Sequence, residues 1–138
     1  IQTKRQKIGV LYVKKDQTTE EQILGNQTGS AEFDEFLAVL GEKIQLEGYT
    51  GFKGDLDVKN NFTGTHSVAT KFQGNEIMFH VSTLLPHSDI DPQQIAKKRA
   101  IGNDLTMIAF LEEGAVFIPP VVSGDFLRKC PHSSLTHL

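Results

Sequence analysis

The chain has 138 residues, 38% of them hydrophobic and 22% charged, with a formal net charge of −3. This length fits one domain, able to bury about two thirds of the surface its unfolded form exposes. The composition excludes a disordered chain, the acidic balance argues against a general nucleic-acid binder, and no apolar run approaches the ~20 residues of a membrane-spanning helix. Lys7–Val13 is a near-continuous β-rich apolar run, which predicts a central strand buried on both faces. Asp16–Thr19 is turn-like. Thr18 or Thr19 can cap a short helix, Thr18 and Glu21 having capping-box spacing, and Gly25-Asn26 would end it. Ser30 is a second N-cap candidate. After it, Phe33, Phe36, Leu37 and Leu40 recur on one helical face, and Glu32, Asp34 and Glu35 suit the positive end of the helix dipole.

Gly48, Gly51 and Gly54 predict a loop bordered by irregular strand, and Asn60-Asn61 a turn. Thr65–Phe72 and Glu76–Thr83, joined at Gln73-Gly74-Asn75, predict a β-hairpin. Asp91–Asp104 reads as a helix with both ends marked. Asp91 is its expected N-cap and Pro92 its first residue. Lys97, Lys98 and Arg99 fall in its last turn, where the dipole favours cations, and Gly102 can take the left-handed conformation that closes it. The apolar run Leu105–Leu111 follows, and Pro119-Pro120 breaks any later element. Helices alternating with strands, plus one hairpin, predict an α/β fold: a mixed β-sheet flanked by helices.

Asn103 is the leading candidate for chemistry. It stands at a helix-to-strand corner, where a polar amide can be presented to a partner. A carboxamide offers one acceptor and two donors, and carries no charge to desolvate. From position alone, a left-handed cap is the competing reading. Lys97, Lys98 and Arg99 are candidates for meeting an acidic partner surface or phosphates, or for a solvated helix end. No phosphate-binding G-x-x-x-x-G-K-[ST] or G-x-G-x-x-G motif occurs, so any nucleotide must sit on a partner. The five histidines and lone Cys130 show no metal-ligand spacing, so no metal is expected, and His80 reads as a hydrogen-bonded core residue. Cys130 permits no internal disulfide, which suits a cytoplasmic setting. The sequons Asn26-Gln27-Thr28 and Asn61-Phe62-Thr63 are short patterns that arise by chance. Ile1–Arg5 lacks a signal-peptide core and an initiator Met, so the chain reads as a piece of something longer.

Asn75–Pro86, reading N-E-I-M-F-H-V-S-T-L-L-P, together with Gln93–Asp104, ending in I-G-N-D, resembles the signature of the Rap-GAP domain family, the GTPase-activating proteins for Rap, with tuberin and Ral GAPs as more distant relatives. The similarity extends back through Thr63–Ser67 and Lys7–Val13 and covers residues 1–127. The resemblance implies a Rap-GAP catalytic-domain-like sheet, a GTP-bound Rap-type partner that brings the GTP and Mg²⁺, and no cofactor of the chain's own. It implies that Asn103 is an "Asn thumb" which enters the partner's nucleotide site and orients the attacking water. Two departures stand out. Ala100 replaces the family's histidine before I-G-N-D, and residues 128–138 form a divergent polar tail where the family continues with an apolar strand, so the domain is expected to be truncated there. The alternative implied by those departures is a GTPase-binding or scaffolding fragment with weak or no activity.

Overall fold

The computed structural model describes residues 4–104 and 106–117, and the backbone of Leu135–Thr136. The expectations for Leu105, Pro119-Pro120, Cys130 and the polar stretch before Leu135 lie outside the described residues. The elements run β1 (Arg5–Val13), α1 (Glu20–Leu24), α2 (Ala31–Leu40), β2 (Glu42–Gln45), β3 (His66–Phe72), β4 (Asn75–Val81), α3 (Ile95–Gly102), β5 (Thr106–Leu111) and β6 (Leu135–Thr136). They build a mixed sheet ordered β2-β3-β4-β1-β5-β6. β1 lies parallel to both β4 and β5 at its centre, as its apolar run predicts. β3 pairs antiparallel with β4 in the predicted hairpin. Its turn residues Gln73 and Gly74 both have positive φ, the geometry that matches strand twist in a two-residue loop.

Side chains of β1 alternate between two cores. Leu11 and Val13 join Ile23, Leu24, Met78, Ile101, Met107 and Ala109 on the face covered by α1 and α3. Val10 and Tyr12 join Phe33, Phe36, Val68, Phe79 and Phe110 on the face covered by α2. Full burial of each Val, Leu, Ile, Met or Phe side chain among them contributes about 1.5–3 kcal/mol. The rings of Phe33 and Phe36 each lie 5.3 Å from that of Phe110, so the predicted apolar stripe of α2 is core.

Two local expectations shift, and a third point agrees with the sequence reading. Thr19, not Thr18, caps α1, with Gln22 completing a capping box. β2 was not predicted: Glu42–Gln45 is a short, mostly exposed strand, made by pairing with β3 rather than by its own pattern. Asn26 of the first sequon is buried and donates to the Tyr12 carbonyl at 2.9 Å, so it is a structural amide.

Candidate functional site

α3 starts later than the sequence predicts. Gln94 is its N-cap, held in the left-handed region at φ 51°, and Pro92 belongs to the preceding turn. The Asp91 carboxylate still serves the helix start, accepting from the N–H of Gln93 at 3.0 Å and of Ile95 at 2.9 Å. At the other end Gly102 is the last helical residue rather than a left-handed terminator. Asn103 is the C-cap at φ −90°, ψ −3°, so the left-handed cap reading of Asn103 is not what the backbone adopts. Its side chain is exposed, and Nδ2 donates to the Arg99 carbonyl at 3.2 Å.

The three consecutive cations separate. Lys97 is 1% exposed, and its ammonium donates to Leu24 O at 2.9 Å and Asn26 O at 3.3 Å. It therefore corrects the expectation of a three-cation surface: it points inward and closes the C-terminal end of α1, where the dipole favours positive charge. Burial pulls its pKa from 10.5 down to about 8. Lys98 forms an ion pair with Glu20 of α1 at 2.9 Å. Arg99 is exposed. α1 and α3 are thus joined by two lysines, and the outward face keeps Arg99 and Asn103.

Asp104, directly after Asn103, is wholly buried, and its Oδ2 meets His80 Nδ1 at 2.8 Å. His80, at 2% exposure, also places Nε2 2.7 Å from the Gly54 carbonyl. A carbonyl only accepts, so Nε2 carries a proton, and an ionised Asp104 accepts from Nδ1 when that nitrogen is protonated too. Burial pulls the His80 pKa down, but the Asp104 carboxylate and the Gly54 and Ala100 carbonyls raise it more, and the net shift is upward. His80 is the hydrogen-bonded core residue the sequence suggests. Asp104 was missed as its partner, although a carboxylate placed just before an apolar strand is a signal that it is held by something. Ala100 is half-buried, one side packed against the α1–α3 core. Among the described residues no three His, Cys, Asp or Glu side chains cluster to hold a metal, and no helix is long and apolar enough to cross a membrane.

The sequence profile of Rap/ran-GAP matches residues 23–129. The chain belongs to the Rap/ran-GAP family. It is 48% identical over 123 residues to the chicken (Gallus gallus) GTPase-activating Rap/Ran-GAP domain-like protein 3, covering 87% of this chain and 13% of that protein. It is 46% identical over 124 residues to human (Homo sapiens) signal-induced proliferation-associated 1-like protein 3, covering 89% and 7%. The structure of the TSC2 GAP domain superposes with a TM-score of 0.81 at 37% identity, over 88% of this chain and 64% of that one. The chain therefore spans a small part of the length of the curated relatives it matches. The mixed sheet flanked by helices is similar to the TSC2 GAP domain's fold.

Proposed function

We propose that this Rap/ran-GAP chain is a GTPase activator. It stimulates GTP hydrolysis on a Rap-type small GTPase by inserting the Asn103 carboxamide into the partner's nucleotide site. The observation that carries the reading is the exposed carboxamide of Asn103 at a corner whose flanking residues, Ile101 and Asp104, are both wholly buried. Phosphoryl transfer asks for positioned dipoles rather than covalent chemistry, and a carboxamide can hold a water and touch a γ-phosphate oxygen together. GTP and Mg²⁺ belong to the partner, and the setting is cytoplasmic. Arg99 and the outer part of Lys98 meet the partner. Lys97 acts from within by holding α3 on α1.

A second reading, a GTPase-binding fragment of weak activity, is favoured by Ala100, which lacks the polar ring that the family's histidine would supply. The test is the rate of GTP hydrolysis by GTP-loaded Rap with and without the chain. An unchanged rate with measurable binding supports the second reading and overturns the first.

A further inference from the structure

The exposed corner at Asn103 is anchored by a path of contacts that never reaches the surface. His80 pairs in register with Gly9 of β1, and Gly9 with Met107 of β5. Gly9 leaves its own space to the end of α3: a Cβ there would lie 2.9 Å from Ile101 Cγ2 and 3.1 Å from Asp104 Oδ2. That gap lets Asp104 settle on the sheet beside His80. On its far side His80 is fixed by the carbonyl of Gly54, a residue with φ +56° whose Cβ would stand 2.8 Å from Met78 Cβ. The charged groups around the pair are few. Lys7 of β1 binds Asp55 at 2.6 Å, and Asp55 follows Gly54 in the same loop. The path from the Gly54 loop through His80 to Asp104 ends one peptide bond from Asn103.

Stability alone gives little reason for such a pair. Apolar side chains of similar volume in place of a buried ion pair are often as stable or more so. What an ion pair adds is direction, because both hydrogen bonds of the ring demand alignment. We propose that His80 and Asp104 are positioning residues for Asn103, their buried pair fixing the Asn103 peptide so that the carboxamide enters the partner's nucleotide site in one orientation. The proposal rests on the reading of Asn103 as the group that acts in trans. Neither side chain has surface to offer a partner. Loss of the pair therefore acts on the chemical step, while association through Arg99 and Lys98 continues.

The experiment measures kcat and KM for GTP-loaded Rap with the parent chain, Asp104→Asn and His80→Gln, alongside melting temperatures. Asparagine keeps the shape of Asp104 without its charge. Glutamine can donate to Asp104 or to Gly54, but not to both. Phe36→Leu, in the core on the opposite face of the sheet, serves as a control for general loss of stability. The expected result is a kcat lower by ~10–100-fold in both pair variants, the size of effect a displacement of about 1 Å produces, with KM within about threefold of the parent. Phe36→Leu keeps the parent kcat. Parent-like kcat in Asp104→Asn overturns the proposal. So does an equal loss of kcat in Phe36→Leu, and so does failure of both pair variants to fold, since the pair is then a strut of the core. Full activity in Asn103→Ala defeats the underlying reading instead, and is distinguishable because it leaves the pair intact.

Discussion

Replacing Asn103 with alanine separates what its side chain does for the fold from what it does for a partner. For the fold, the exposed side chain makes one hydrogen bond, to the Arg99 carbonyl at 3.2 Å. A net contribution of about 0.5–1.5 kcal/mol is the usual range, and a long, exposed bond belongs at its lower end. At about 0.5 kcal/mol in a domain of this size, that lowers the melting temperature by roughly 1–2 °C. Removing one preorganised group at a transition state costs ~10²–10³ in rate, or about 2.7–4 kcal/mol. The same carboxamide must leave Arg99 O to enter a nucleotide site, and giving up that weak bond is small against the gain. Single-turnover GTP hydrolysis by Rap, with binding measured in parallel, should therefore show a rate loss of at least a hundredfold beside nearly unchanged affinity and folding. Stimulation equal to the parent's would refute the reasoning, as would a loss of rate that merely tracks a loss of binding.

Lys97→Met should change how stability depends on pH. The folded Lys97 pKa of about 8 lies below its ordinary 10.5, so between those values the unfolded chain holds a proton that the folded chain lacks, and the parent gains up to about 3 kcal/mol relative to the variant as pH rises across that window; urea melts at pH 7 and pH 10 that show a constant difference between the two proteins would refute this. Arg99→Ala should weaken association with the GTPase, most at low salt, where exposed charges are least screened, and Lys98→Ala should weaken it less while also loosening α3 from Glu20; equal affinities at every salt concentration would remove both from the interface. Ala100→His should raise the stimulated rate by up to about tenfold through one added hydrogen bond to the partner, with a lower melting temperature because Ala100 is half-buried; an unchanged rate in a folded variant would show that the missing ring does not limit this chain.

Much of the architecture could be read because local signals and global packing agree. The run Lys7–Val13 could only be a strand covered on both faces, and it stands between two parallel neighbours. Ser30 and the period of Phe33 and Phe36 specify α2 and its buried face before any contact is known. Elements without a pattern of their own were missed. β2 has one partly buried residue in four, and only the free edge of β3 makes it a strand. The start of α3 was misplaced for a different reason. Asp91 and Pro92 carry the right chemistry for a helix entrance, but Gln94 uses its amide to bind Ser88 O at 2.7 Å and Asp91 O at 2.6 Å, and that local turn delays the helix by three residues relative to Pro92.

The basic run of α3 shows where sequence reasoning stopped short of what helix geometry already permits. Successive residues of an α-helix point about 100° apart, so three consecutive cations span about 200° of its surface and can meet different surroundings. A helix packed on one side can turn one of Lys97, Lys98 and Arg99 inward, and here one of them does turn inward. Which one turns inward depends on something remote in sequence: α1 ends at Leu24, and its unpaired carbonyls need a donor at that place. Lys97 supplies it, Lys98 reaches Glu20 beside it, and Arg99 is left outside. An inward lysine thus exchanges a place at the partner surface for a hold on α1. The helix that carries Asn103 is fixed along its length by Lys97 and Lys98 and at its end by Asp104. On the proposed reading, a partner approaching the end of α3 would meet Arg99, the outer part of Lys98 and the Asn103 carboxamide, and a preorganised backbone is what would let a single amide contribute at a transition state.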